Sequence, residues 1–224
     1  RAPAAGAPPR DLGIRGMKDD GADVHVAAVT RALRVTAEAA LASNDPAKYR
    51  EALSDCLEES ERVSWMLTTL MDISEAETGT MRLNVVPIEL AKLIAEVTEL
   101  YEDTAEDAGI ALNASVPADL VVNADRDRLR QALANLVDNA IKYTPRGGRI
   151  DVSATVESGT MTIRVADTGP GIVPAVSSRL FTAFVTTKRT GTGLGQTLAE
   201  RIAKYHGGTL KASNRQEGGA SFLF

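Results

Sequence analysis

The sequence predicts an α+β chain in which a helical part precedes a part that mixes strands with helices. From about Ala22 to Ser43, apolar residues recur at helical spacing, and the same spacing returns after Pro46. In the second half of the chain the period changes. Arg149 to Val156 and Met161 to Ala166 alternate apolar with polar residues, as half-buried strands do. The change of period therefore separates a helical part from a mixed part.

The helical part is predicted to be an antiparallel hairpin. Asp45 is a suitable N-cap and Pro46 suits the first helical position, so a second helix begins almost where the first ends. This second helix is predicted to end near Gly79. A short connection forces the two helices to lie antiparallel. The apolar positions, Trp65 and Met71 among them, exceed what one partner helix covers, so we expect a four-helix bundle in a homodimer.

The remaining pattern assigns residues 1–21 to a linker or an expression remnant, 22–79 to the hairpin and 80–224 to a second domain. The first segment is rich in Pro, Ala and Gly and shows neither period. The elements predicted for the second domain are an extended piece from Met81 to Val86 closed by Pro87, a helix from Glu89 to about Ala108, strands Ile110 to Val116 and Leu120 to Asn123, a helix from about Arg126 to Tyr143 capped by Asp125, strands Arg149 to Val156 and Met161 to Ala166 paired as a hairpin, a helix opened by Gly195, and strands Thr209 to Ser213 and Ala220 to Phe224.

Composition excludes several classes of protein. The net charge of −5, without a basic face rich in aromatic residues, argues against nucleic acid as the main partner. The single cysteine excludes an internal disulfide and suits a reducing compartment. With one cysteine and two histidines in the whole chain, a zinc site is improbable. No apolar run reaches the length of a membrane span. Because the chain starts at Arg1, we expect a cytoplasmic fragment of a longer protein, with any membrane contact made by parts that are absent here.

Asp167 to Ile172, read Asp-Thr-Gly-Pro-Gly-Ile, directly follow a predicted strand. A carboxylate there can accept a hydrogen bond from an exocyclic N–H, and glycines allow the backbone to approach a flat ring. The pattern suits binding of a heteroaromatic amine. A tight turn is the alternative interpretation of the same residues.

A polar stripe lies on the predicted helix that ends at Tyr143. Arg128, Asn135, Asn139 and Lys142 share one face of it. Asparagine is unfavourable inside helices, so two of them one turn apart need a reason. The stripe is either a solvated face or a pair of amide oxygens for a hard cation beside phosphates, with Lys142 as a point charge.

A second glycine motif, Gly191 to Gly195, opens the helix whose apolar face includes Leu198 and Ile202. Backbone N–H groups at a helix N-terminus can bind phosphate. The preceding run from Val185 to Thr190 is polar and basic, which indicates a flap that could close over an anionic ligand.

Together these motifs resemble the N, G1, F and G2 boxes of sensor histidine kinases. The matching residues are Asn135-x-x-x-Asn139-Ala-x-Lys142-Tyr143, Asp167-x-Gly169-x-Gly171, Phe181-x-x-Phe184 and Gly191-x-Gly193-x-Gly195, in the family's order. The resemblance covers about 45–224, and the end of the second helix also resembles a kinase dimerisation hairpin. It implies a two-layer α/β sandwich with a mixed sheet, of the gyrase-type ATPase superfamily.

The resemblance also implies ATP and Mg²⁺ as ligands, autophosphorylation of a histidine, and transfer of the phosphoryl group to an aspartate of a response regulator. In that scheme Asp167 binds adenine, Asn135 and Asn139 hold the metal, and Lys142, Lys188 and the Gly191–Gly195 backbone bind phosphates. The full set of implied ATP-binding residues is Asn135, Asn139, Lys142, Tyr143, Asp167, Gly169, Gly171, Ile172, Phe184, Thr187, Lys188, Gly191, Thr192, Gly193, Leu194 and Gly195.

The chain departs from the family's pattern at the phosphoacceptor. His25 is the candidate nucleophile, but Val26 stands where the family has an acidic base and Val29 where it has Thr or Asn. A degenerate ATP-binding module that signals by conformation, or by pairing with an active kinase, is therefore a second hypothesis. An ATP-hydrolysing clamp is disfavoured, because Asn135 occupies the position of its glutamate.

Two further features lie in and after the helix opened by Gly195. The dipeptide Gln196-Thr197 follows the last glycine at a place where the family usually has apolar residues. His206 precedes two glycines at a helix end, where a capping or structural role is expected rather than a catalytic one.

Overall fold

The computed structural model describes residues 20–43, 45–157, 159–185 and 192–224; within the first helix, side chains are described for residues 30, 31 and 33–43. Its internal contacts divide the chain into two units, Arg1–Val63 and Ser64–Phe224. Among the described residues, no helix is long and apolar enough to cross a membrane.

Two helices, α1 (Asp20–Ser43) and α2 (Pro46–Thr78), form the helical part of the chain. Asp45 caps the second of them, because its Oδ1 accepts a hydrogen bond from the backbone N–H of Ala47 at 2.9 Å. Pro46 occupies the first helical position, as predicted. Gly79 ends the helix in the left-handed region, with φ of 72°. Both predicted helices are therefore confirmed.

The second unit alternates strands and helices after the end of α2. Its elements are β1 (Val85–Glu89), α3 (Leu90–Asp107), β2 (Ala111–Ser115), β3 (Val121–Asp125), α4 (Arg126–Tyr143), β4 (Arg149–Glu157), β5 (Thr160–Asp167), α5 (Pro174–Ser177), α6 (Gly195–Tyr205), β6 (Lys211–Asn214) and β7 (Ala220–Leu223).

Five of the strands form a mixed sheet in the order β2-β4-β5-β7-β6, while β1 and β3 form a separate antiparallel pair. β2 runs parallel to β4, and the other neighbours are antiparallel. Alternate residues of β4 (Ile150, Val152, Ala154) and of β5 (Ile163, Val165) are buried in one core with apolar residues of α3, α4 and α6. Helices thus cover one face of the sheet, which confirms the predicted two-layer sandwich.

Two details differ from the sequence-based prediction. Pro87 lies inside β1, opposite Asn123, instead of closing an extended segment before it. Within the part of the chain that the structure describes, β1 pairs with β3 alone. The other edge of β1 needs no backbone N–H donor, so the strand tolerates proline. The short helix α5 was not predicted, since four residues beginning at Pro174 are too few to show a period.

The last part of α2 packs with the second unit. Met66 and Ile73 are buried in its core. Asp72, also buried, has Oδ1 at 2.6 Å from Nη1 of Arg128 and accepts a hydrogen bond at Oδ2 from Gln131 at 3.0 Å. Further along, the Tyr205 hydroxyl donates to a backbone carbonyl of α2 at 2.9 Å. The contact boundary thus falls inside α2, and the predicted domain boundary at Gly79 stays a prediction.

Candidate functional site

The N-terminus of α4 is held by Asp125, which confirms the predicted cap. Its Oδ1 accepts from the N–H of Arg128 at 3.0 Å, and its Oδ2 accepts from the N–H of Asn84 at 2.8 Å. Burial raises the pKa of the Asp125 carboxyl, but the backbone hydrogen bonds it accepts outweigh that effect and hold the pKa below its usual value. The carboxylate therefore anchors the helix that carries both asparagines.

His206 connects α6 to the same cap. Its Nε2 accepts a hydrogen bond from the backbone N–H of Asp125 at 3.0 Å, so in the neutral ring Nδ1 carries the proton and donates to the carbonyl of Ile202 at 2.8 Å. Both ring nitrogens are engaged in backbone contacts. This arrangement matches the structural role expected for His206.

A cavity of about 220 Å³ opens between α4, the end of β5 and the start of α6. Its apolar lining includes Ile172, Val176, Leu180 and Phe222, and its polar lining includes Asn139, Asp167 and Gln196. Few polar groups converging in a mostly apolar cleft are typical of a site for a flat, partly polar ligand.

Asp167 is the buried acid of this cavity, with 4% of its surface exposed. Its Oδ1 accepts hydrogen bonds from the backbone N–H groups of Gly169 at 2.8 Å and Ala220 at 3.1 Å. Within the described ranges, Oδ2 accepts no hydrogen bond from the chain. One carboxylate oxygen thus orients the group, and the other can accept an N–H from a ligand.

Glycines surround Asp167 because side chains would not fit there. A Cβ added to Gly169 would lie 2.8 Å from the carbonyl oxygen of Tyr143, and one added to Gly219 would lie 1.9 Å from that of Asp167. Gly171 has φ of 78° and would place a Cβ 2.8 Å from Oδ1 of Asn214. The glycines of the G1 motif are therefore required by close backbone approach as well as by conformation.

The α4 asparagines lie on the opposite wall. Asn139 lines the cavity, and Oδ1 of Asn135 faces Gly195, where an added Cβ would lie 3.2 Å away. Nδ2 of Asn135 is buried and has no hydrogen-bond partner among the described residues. The stripe is thus buried in part at Asn135, whereas Lys142 at its end is exposed, and the cation-binding interpretation stays a prediction.

Comparison with known proteins places these features in a family. The model of the family described as "Histidine kinase-, DNA gyrase B-, and HSP90-like ATPase" matches residues 124–224. The catalytic domain of histidine kinase ThkA is 33% identical and aligns over 63% of this chain and 94% of its own length, with a TM-score of 0.59. This chain belongs to the histidine kinases.

Two further relatives extend the match beyond the α/β sandwich. Sensor-like histidine kinase SenX3 of Mycobacterium tuberculosis is 30% identical over 198 residues. The aligned part covers 85% of the present chain and 48% of SenX3. The structure of histidine kinase AdeS of Acinetobacter baumannii covers 89% of this chain and 94% of its own, at 25% identity and a TM-score of 0.75. The chain spans about half the length of the curated relatives it matches.

Several residues predicted from the kinase boxes lie at the cavity, and others lie around it. The cavity lining includes Asn139, Tyr143, Asp167, Gly171 and Ile172 from the predicted set. Lys142 is instead paired with Asp138, whose Oδ2 lies 2.5 Å from its Nζ. Thr192 is half-buried and Leu194 is fully buried next to the start of α6.

The F and G2 boxes meet in the structure. Phe184 donates its N–H to the carbonyl of Gly193 at 3.2 Å, and both residues have positive φ, 63° and 67°. A Cβ on Gly193 would lie 2.7 Å from the Phe184 carbonyl carbon. Thr187, Lys188 and Gly191 lie outside the described residues, as does the side chain of His25.

Sequence reasoning missed the residues that hold the G1 loop of this histidine kinase from the β6–β7 side. Asn214 accepts from the N–H of Ile172 at 2.6 Å and donates to its carbonyl at 3.0 Å. Arg215 donates to the carbonyl of Asp167 at 2.8 Å. No local pattern marks these residues. Missed cavity-lining residues are Ala140, Pro170, Val173, Val176, Leu180, Val185, Gln196, Ala220 and Phe222.

Proposed function

We propose that this chain is the ATP-binding and dimerisation core of a sensor histidine kinase. The observation that carries the proposal is the Asp167 carboxylate, with Oδ1 bound by two backbone N–H groups and Oδ2 without a partner in the described chain. That oxygen would accept the exocyclic amine of adenine, and the apolar lining, Ile172 and Phe222 included, would pack against the ring.

The α4 wall fits a metal-bound phosphate chain. Nδ2 of Asn135 is buried without a hydrogen-bond partner among the described residues, and Asn139 lines the cavity. Amide oxygens are among the ligands that Mg²⁺ takes, and this ion is commonly bound by few protein groups together with substrate phosphates. Bound there, Mg²⁺ would neutralise phosphate charge. Backbone N–H groups at the start of α6 would bind phosphate oxygens.

His25 is the proposed nucleophile. A neutral ring nitrogen would form a bond to the γ-phosphorus as the bond to the β–γ bridging oxygen breaks, with ADP as the leaving group and the ring proton lost. Val26 supplies no base for that proton. Because a positioned general base contributes about 10²- to 10⁴-fold, we expect autophosphorylation to be slow.

The proposed receiver of the phosphoryl group is an aspartate on a response regulator. In support, histidine kinase ThkA has been solved in complex with the response regulator protein TrrA; that structure is 25% identical to this chain and covers 89% of it, with a TM-score of 0.64. A cytoplasmic location accompanies this proposal, since a chain with one cysteine needs no oxidising compartment.

A homodimer is proposed from the hairpin. In the first unit, Leu41, Leu53 and Leu57 are 75%, 64% and 67% exposed. A run of exposed leucines on a helical hairpin indicates a surface that a second copy would cover. Light scattering at micromolar concentration should give twice the chain mass, and a stable monomer would contradict the proposal.

The kinase proposal is tested with γ-labelled ATP. We expect the parent chain to bind ATP and to accumulate acid-labile phosphate slowly, and His25→Gln to bind ATP equally but stay unlabelled. Equal labelling of the two chains would remove His25 from the mechanism. Absence of ATP binding by the parent would overturn the proposal as a whole.

A further inference from the structure

Gln196 lies in the cavity, yet none of the four kinase boxes contains it. It is the second residue of α6, and its half-buried side chain lines the same cavity as Asn139 and Asp167. Its amide forms no hydrogen bond with another described residue. A half-buried amide without a partner in the described chain therefore needs an explanation.

Two other side-chain amides of this domain have partners at both ends in the protein. Asn214 uses both ends of its amide on Ile172. Gln131 accepts from Arg128 at 3.1 Å and donates to Asp72 at 3.0 Å. Partly buried amides usually find such partners, because leaving them unpaired costs free energy. Gln196 differs from these two in that it lines a cavity large enough for a ligand group.

The place of Gln196 in the fold indicates which part of a ligand it would meet. It directly follows Gly195, which packs against the Asn135 amide on the wall proposed for phosphates. Asp167, the proposed base acceptor, stands on a different element, at the end of β5, and is held there by Gly169 and Ala220. The glutamine thus belongs to the α4–α6 side of the site.

We propose that Gln196 is a further nucleotide-contact residue, whose Nε2–H group donates a hydrogen bond to the phosphate chain. This inference rests on the proposed ATP site. The contact adds a donor to the phosphate side without adding charge, and it engages an amide that the described chain leaves unpaired. Nucleotides with phosphates would therefore gain affinity from Gln196, whereas the nucleoside would not.

The test compares ATP, ADP and adenosine by calorimetry, with Mg²⁺ present throughout. Gln196→Met keeps the length of the side chain and removes its donors, so we expect ATP and ADP affinity to fall about tenfold while adenosine affinity stays unchanged. Gln196→Glu should lose more affinity for ATP than Gln196→Met, because a carboxylate repels phosphate. Gln131→Met is the matched control: it lies outside the cavity lining and should leave the ratio of ATP to adenosine affinity unchanged.

The outcomes separate this inference from the proposed function. If the parent binds neither ATP nor adenosine, the proposed ATP site is wrong. If the parent binds ATP and Gln196→Met binds all three ligands as the parent does, the inference is wrong and the site stands. An equal loss for adenosine and ATP would place the contact on the nucleoside and would also overturn it. Thermal melts without ligand establish that each variant is folded.

Discussion

The two walls of the cavity differ in how far the protein alone satisfies their polar groups. On the β5 wall, Oδ1 of Asp167 accepts two backbone hydrogen bonds, and Asn214 and Arg215 hold the loop from outside. On the α4–α6 side, Nδ2 of Asn135 and Oγ1 of Thr197 are buried behind the cavity lining without a partner in the described chain. The β5 wall, proposed to bind the nucleotide base, is therefore organised before a ligand arrives, whereas the α4–α6 side keeps unpaired donors.

This difference has an energetic meaning. Groups already bonded in the free protein lose little freedom when a ligand binds, so the base side contributes geometry at low cost. Unpaired buried groups destabilise the free protein. Substitutions on the β5 wall should therefore damage shape and stability, while substitutions on the other wall should affect ligand binding or even stabilise the free chain.

The largest effect is expected for Gly219→Ala. The added Cβ would lie 1.9 Å from the carbonyl oxygen of Asp167, and φ at Gly219 is 90°. Overpacking combined with backbone strain should lower the free energy of unfolding by about 3 kcal/mol or more, measured by urea denaturation. Gly218→Ala is the control, since φ is 92° there but the Cβ meets nothing within 4 Å. Its cost should be about 1 to 2 kcal/mol. Equal losses would show that strain alone acts at this turn.

The next effect concerns the base acceptor. Asp167→Asn keeps the shape of the side chain but can place an amide donor where the ligand needs an acceptor. Because a hydrogen bond to a charged group contributes roughly 1.5 to 3 kcal/mol, ATP affinity should fall about tenfold or more. Calorimetry measures the change. Unchanged affinity would show that the free carboxylate oxygen does not meet the base.

A smaller and more selective effect is expected for Asn139→Ala. Asn139 lines the cavity and lies outside the apolar stripe of α4. Nucleotide binding should weaken when Mg²⁺ is present and change little when it is chelated, while the free energy of unfolding of the ligand-free protein stays almost unaltered. A loss of several kilocalories in the ligand-free protein would instead identify Asn139 as a structural residue.

The sequence predicts those parts of the site that lie within one helix or strand, and misses those that depend on the pairing of distant strands. Motifs on one element are visible in the chain: the Asp125 cap, the glycines beside Asp167 and the α4 stripe all follow from local spacing. Asn214 and Arg215 reach the G1 loop only because β7 pairs with β5 and β6 pairs with β7. That strand order depends on long-range packing, which no local pattern encodes.

Helix α2 gives a second example of this limit. Its continuous helical period predicts one element correctly, but the period does not show that residues from Ser64 onward pack with the α/β unit. The ion pair between Asp72 and Arg128 joins residues far apart in the chain, and neither side chain carries a local signal of its partner. Partners of this kind become visible only with the tertiary structure.

The smallest expected effect has the opposite sign, and it tests an unpaired buried group of α6. Thr197 is 3% exposed and its hydroxyl has no partner among the described residues. Thr197→Val keeps the β-branched shape and removes the unpaired group, so the ligand-free protein should become more stable by about 1 kcal/mol in urea denaturation. Thr144→Val is the matched control: Thr144 is 7% exposed, and its hydroxyl donates to the Ala140 carbonyl at 2.7 Å. That variant should lose about 1 kcal/mol, because the hydrogen bond of the hydroxyl is lost and the Ala140 carbonyl keeps only the backbone N–H of Thr144, at 3.0 Å, as a donor among the described residues. If Thr197→Val and Thr144→Val destabilise the protein equally, the Thr197 hydroxyl has a partner in solution. The statement that α6 carries an unpaired buried group would then be wrong.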